Sequence, residues 1–296
     1  MLRAAPLLLI ALAGCTGTPT LATYTGSDTR QTMAIGSWDR SFRIHVPSRA
    51  TPGPVAPLIL AYHGLGQTAA QLEAQTGLDA LADELGAIVV YPEAALGQWD
   101  VSGDFVEIFG IDDIAFARQL INRMSTDFVI DKQRIIAVGL SNGAVFAQRL
   151  ACEVTDQISG FVAVSGTLSR PARDKCDPSE PVNAFYIIGT RDGQFPVDGN
   201  DVVLSVDSTM AYWSRTENCS GRGPRLTLPD TAHDNTLVYR SFLIDCQSGA
   251  TVGLDSVVGS GHGWPGSPIA VNGISRNVSA NAEIRRALLA GRARPR

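Results

Sequence analysis

The chain has 296 residues, 45% hydrophobic and 18% charged, enough to bury one substantial core and unlike the composition of a disordered or low-complexity protein. A formal net charge of −5 leaves no basic stripe for nucleic acid. The one arginine-rich stretch, the C-terminal "RRALLAGRARPR", reads as a solvated helix and tail.

The first twenty residues, "MLRAAPLLLIALAGCTGTPT", have Arg3, an apolar run over residues 7–13 and then small residues, the layout of an export signal. That run is too short to span a bilayer. "LAGC" at residues 12–15 resembles the bacterial lipobox, which implies cleavage before Cys15 and a lipid on that cysteine as the only membrane attachment. The expected layout is a lipoprotein signal over residues 1–14, an anchor and linker over 15–40, and a single domain over 41–296. Setting Cys15 aside leaves Cys152, Cys176, Cys219 and Cys246, an even set suited to two disulfides in an oxidising compartment. Three pairings are possible, and proximity favours Cys152 with Cys176 and Cys219 with Cys246. No pair has the spacing of a zinc knuckle or a redox dithiol, so no metal is expected.

From Tyr24 onward the pattern alternates. "SFRIHVP" reads as a half-buried strand and "PLILAYH" as a fully apolar one. "TAAQLEAQTGLDALADELG" has helical periodicity interrupted at Gly77, and "AIVVYPE" is another apolar strand. "GIDDIAFARQLINRMSTDF" opens with acidic residues suited to a helix N-terminus and puts Ile114, Ala117, Leu120, Ile121 and Met124 on one face. "RIIAV" is the next strand, followed by "GLSNG", a helix to Cys152, and the strands "GFVAVSG" and "AFYIIG". Strands and helices alternating at this spacing predict an α/β fold with a mostly parallel sheet covered by helices on both faces.

In such a sheet reactive groups gather at the carboxyl ends of strands, and Ser141 lies three residues beyond the last residue of "RIIAV". Gly139 and Gly143 suit a sharp strand-to-helix turn that holds a serine in a strained conformation, where side chains two residues away would clash. A nucleophilic serine needs a base, and in this fold the order along the chain is serine, acid, histidine. His45 and His63 precede Ser141. His233 sits in the polar "DTAHDNT", whereas His262 sits in the glycine-rich "VVGSGHGWPG", which could deliver a mobile imidazole to the sheet edge. Asp192, just past "AFYIIG", is the best-held acid, with Asp198 as its rival and Asp201 further out. The glycines of "YHGLGQTAAQ" let backbone N–H groups turn toward the active end, so Leu65 and Asn142 are the expected oxyanion donors and His63 is expected to be structural. Trp99 and Trp264 are candidates either for a flat apolar substrate wall or for core packing.

The segments "PLILAYHGLGQTA", "VVYPEA", "DDIAFARQLI", "GLSNGAVFAQRLACE", "IIGTRDGQFPVDG", "VDSTMAYWSRTENCSG" and "GHGWPG" together resemble the secreted α/β-hydrolases grouped as polyhydroxybutyrate depolymerase and feruloyl esterase-like enzymes. The resemblance runs from residue 41 to residue 264. It implies an α/β-hydrolase fold and a serine esterase with Ser141, Asp192 and His262 as its triad and no cofactor. It also supports joining the cysteine after the nucleophile helix to the cysteine before the next strand. Two departures bear on substrate choice: Ala144 stands where the family often has a second glycine, and Val197 where a tyrosine is more usual. The implied substrate is a carboxylic ester, either a polyhydroxyalkanoate oligomer or a feruloyl or acetyl polysaccharide ester. A serine peptidase of the same fold and an inactive surface-binding protein are the alternatives.

Overall fold

A computed structural model describes residues 29–47 and 55–293. Cys15 and the proposed signal lie outside the described residues. Eleven strands form one sheet, in the order β1 (Thr29–Ile35), β2 (Trp38–His45), β4 (Ile88–Pro92), β3 (Ala56–Tyr62), β5 (Ile130–Leu140), β6 (Gly160–Val164), β7 (Asn183–Gly189), β11 (Val252–Val258), β10 (Leu237–Ile244) and β8 (Gly221–Arg222), with β9 (Leu226–Thr227) also on β10. The run from β4 to β11 is parallel, and antiparallel strands finish both edges. The sheet is mostly parallel, as the alternation predicted.

The central strands are apolar on both sides because both faces are covered. Leu58, Leu60 and Tyr62 of β3 and Ala137 of β5 share one core with α4 (Asp113–Asp127), α5 (Asn142–Glu153) and α7 (Val206–Thr216). The intervening Ile59, Ala61, Ile136 and Val138 share another with α1 (Ala69–Thr76), α2 (Leu78–Leu85) and α8 (Ala280–Ala290). Gly77 adopts φ 63° between α1 and α2, so the predicted interruption is a left-handed joint. Asp112 caps α4 by accepting the Ala115 N–H at 2.7 Å, and Phe116, Ala117, Leu120, Ile121 and Met124 line its buried face. Ile114 is only partly buried. Two short helices, α3 (Phe105–Phe109) and α6 (Arg170–Lys175), sit in connections that the pattern left unassigned.

The boundary at residue 41 needs correction. The sheet takes in residues 29–40, because β1 and β2 form a hairpin turning at Gly36, which has φ 58°. Within that hairpin Thr29 faces Ile44, while His45 faces Val89 and Phe42 faces Pro92 in β4. Thr29 is therefore level with Val90, the middle of β4, and β1 runs from there toward the carboxyl ends of the parallel strands. The last described helix finishes at the amino end of the parallel strands, where the Gly291 carbonyl accepts the Asn183 side-chain N–H at 2.6 Å. Disulfides join Cys152 to Cys176 and Cys219 to Cys246. None of the described helices is long and apolar enough to cross a membrane.

Candidate active site

Ser141 occupies the bend between β5 and α5 with φ 60° and ψ −123°, a region that side chains other than glycine enter only under constraint. Its neighbours show what the constraint is. A Cβ on Gly139 would stand 2.1 Å from the Gly143 carbonyl oxygen, and one on Gly143 would stand 2.1 Å from the Tyr62 carbonyl oxygen. The bend is thus jammed between its own helix start and the end of β3, and only hydrogen fits at either glycine. The Ser141 N–H donates to the Val164 carbonyl at 2.9 Å, tying the turn to the end of β6. Ser141 itself is buried.

Asp192 and His262 are 70 residues apart, yet the imidazole Nδ1 lies 2.7 Å from Asp192 Oδ2. The other carboxylate oxygen accepts the N–H groups of Gln194 and Phe195, both at 2.9 Å. Burial alone would raise the Asp192 pKa; the His262 bond, these two N–H groups and the His262 charge outweigh it and hold the carboxyl below its ordinary value. The ring of Phe195 stacks on the imidazole at 5.8 Å, and the His262 side chain keeps 18% of its surface exposed. With Nδ1 engaged by the acid, Nε2 is the nitrogen free to face away from it.

The glycine-rich loop bearing His262 is tied to its neighbours by hydrogen bonds. Gly261 donates to the Gly273 carbonyl at 2.8 Å, and Ser165 Oγ exchanges 3.2 Å bonds with the carbonyl and N–H of Gly263. A Cβ on Gly189 would meet the Ser260 and Gly261 carbonyl oxygens at 2.5 and 2.6 Å, so that glycine exists for the loop to cross the end of β7. Ser165 directly follows Val164, the residue that holds the Ser141 N–H. The ends of β5, β6 and β7 therefore bring the Ser141 turn, the His262 loop and the Asp192 loop to one rim.

No protein-family model matches the chain. It is 27% identical to "Putative esterase NocK" of Nocardia uniformis subsp. tsuyamanensis, over 85% of this chain and 79% of that one. It is 28% identical to feruloyl esterase B of Piromyces equi, over 75% of this chain but 42% of the relative. It is 33% identical to poly(3-hydroxyalkanoate) depolymerase C of Paucimonas lemoignei, over 41% of this chain and 30% of the relative. The chain thus spans less than half of the last two. Among solved structures, acetyl xylan esterase from Aspergillus awamori superposes with a TM-score of 0.60 at 16% identity, covering 79% of this chain and 94% of that one, which bears on the fold.

The chain has the α/β-hydrolase fold and is similar in sequence to esterases.

In this fold the loop after β3 presses against the Ser141 turn, since a Cβ on Gly64 would stand 3.2 Å from Ser141 Cβ. His63 is buried there. Its Nδ1 donates to the Gly64 carbonyl at 2.8 Å while Nε2 accepts the Ala94 N–H at 3.1 Å. Because the Gly64–Leu65 peptide is trans, fixing its carbonyl turns the Leu65 N–H the opposite way. The N–H groups on either side are occupied, Gly64 by Gln67 Oε1 and Gly66 by the Gly97 carbonyl. The Leu65 side chain points outward and is 66% exposed. Asn142 opens α5, and its side chain clamps the backbone of Trp99, accepting the N–H at 2.7 Å and donating to the carbonyl at 3.3 Å.

Of the two readings of Trp99 and Trp264, substrate wall or core packing, the burial favours the second. Trp99 and Trp264 are each 1% exposed and pack in the core. Trp99 stacks on Phe146 and donates its indole N–H to the His63 carbonyl at 3.0 Å, while Trp264 donates to Asn281. Both are scaffolding for the site's loops, with no face left for a ligand. Asp198 lies on a separate cavity wall, and the exposed His233 stands beside Asp230. Sequence reasoning missed Ser165 and Phe195. Neither has a signal of its own, since their roles depend on strands far apart in the chain coming together.

Proposed function

We propose that this hydrolase is a serine esterase in which Ser141 is the nucleophile, His262 the general base and Asp192 the residue that orients it. The observation that carries the reading is the 2.7 Å bond between His262 and a buried, ionised Asp192 at the same sheet rim as a strained Ser141. His262 removes the serine proton as the hydroxyl attacks the ester carbonyl. The N–H groups of Leu65 and Asn142 stabilise the oxyanion, and the alcohol leaves with the proton held by His262. Water repeats the cycle on the acyl-enzyme. Losing one oxyanion donor would cost about 3 kcal/mol of transition-state stabilisation.

The substrates in this reading are carboxylic esters of a hydroxyalkanoate or of a polysaccharide, classes named for the relatives above. Export follows from the N-terminal pattern together with two disulfides, which persist in oxidising compartments, and anchoring follows from the lipobox at Cys15. A short-chain p-nitrophenyl ester assayed beside a peptide anilide tests the chemistry. The expected result is ester turnover that falls by about six orders of magnitude in Ser141→Ala. Anilide cleavage alone would refute the esterase reading, and full activity in the variant would refute the nucleophile.

A further inference from the structure

A cavity of about 300 Å³ opens beside the loop that holds Asp192. That is the lower end of the size range of small-molecule sites. Thr190, Val197 and Asp198 of the acid's own loop form one wall, and the edge strands β8 and β10 with the start of α7 form the other. Two carboxylates, Asp198 and Asp207, and two guanidinia, Arg222 and Arg225, line it, so the cavity carries no net charge to select an ion. Arg222 reaches Asp207 at 3.3 Å. The guanidinium carbon of Arg225 lies over the ring of Tyr239, 3.5 Å from its centre, and Arg225 has no carboxylate partner among the described residues. Asp198 likewise has no hydrogen-bond partner among them. Below this polar rim the floor is aliphatic, formed by Ile188, Val206 and Leu254.

A neutral cavity with carboxylate acceptors, fork-shaped guanidinium donors and an apolar floor matches the chemistry of a sugar ring. Vicinal hydroxyls donate to a carboxylate and accept from a guanidinium, while the C–H face lies on aliphatic carbon. We propose that this cavity binds a neutral sugar unit of the substrate, beside but outside the catalytic centre. Its role in turnover rests on the esterase reading and selects polysaccharide esters over hydroxyalkanoates; binding itself does not depend on catalysis. Because one loop carries both Asp192 and a wall of the cavity, a polysaccharide seated there runs toward the His262 rim.

The test measures binding of xylotetraose, cellotetraose and mannotetraose by titration calorimetry to the Ser141→Ala protein, which cannot turn over. At least one should bind, unaffected by 0.5 M salt, and Arg225→Ala or Arg222→Ala in that background should weaken it about tenfold or more, equivalent to about 1.4 kcal/mol. Ser256→Trp, which fills the cavity without removing a charge, should do the same, with near-ultraviolet circular dichroism confirming the fold of every variant. The proposal is overturned if no tetrasaccharide binds at millimolar concentration, if all three variants bind as tightly as the parent, or if only an oligouronate binds and salt abolishes it. Turnover of a p-nitrophenyl ester by the unmodified enzyme is read separately. Its absence would sink the esterase reading and leave the sugar site standing.

Discussion

A single methyl group at residue 143 would land 2.1 Å from the Tyr62 carbonyl oxygen, and nothing near it is a flexible side chain able to yield. Gly143→Ala is therefore expected to destabilise the protein by about 3 kcal/mol and to abolish ester turnover, read by urea denaturation and an ester assay. At Asp192 the prediction concerns both rate and pH. Asp192→Asn keeps the shape but leaves the imidazole with the wrong proton, so kcat should fall by about four orders of magnitude. The depressed pKa of Asp192 means that its contribution to stability is complete above the ordinary carboxylate range and is lost as pH falls through the folded-state value. Part of the acid-side decline in unfolding free energy should accordingly vanish in Asp192→Asn. The Ser141 bend was legible because its two glycines carry a steric requirement that the sequence displays. Trp99 was not, because its indole is committed to the His63 carbonyl only once β3 and the loop after β4 lie side by side.

Between elements, the support for the site is electrostatic as well as apolar. Arg40 of β2 meets Asp113, at the start of α4, at 2.7 Å with both groups buried. Asp113 Oδ2 accepts the Asp100 N–H, and Asp100 in turn holds Arg149 of α5 at 2.9 Å. This chain of groups fixes the loop carrying Trp99, and through the Asn142 clamp it reaches the nucleophile helix. Burial pushes the Asp113 pKa up in spite of Arg40, so the pair is held at a cost. Arg40→Ala would leave the carboxylate uncompensated and should lower stability by about 3–5 kcal/mol in a urea titration. The double variant Arg40→Met with Asp113→Ala should recover most of that loss. The parallel strands were legible because continuous apolar runs admit few other readings. β2 was read from Ser41 onward, β1 was missed because its residues alternate weakly, and α3 because none of its residues is buried.

Over the whole molecule, the two disulfides close intervals of 24 and 27 residues, one ending at α6 and the other tying α7 to the end of β10. Each should contribute about 3.5 kcal/mol by restricting the unfolded chain. Replacing Cys152 and Cys176 together by alanine should lower the urea midpoint accordingly while sparing the bond between Asp192 and His262. The position of Thr29 matters in another way. The first described strand starts at mid-height on the outer edge of the sheet, so thirteen residues, 16–28, would separate Cys15 from the domain. Fully extended, such a leash reaches about 45 Å. A lipid on Cys15 would thus keep the domain within that reach of a bilayer while leaving its rim free to turn in any direction.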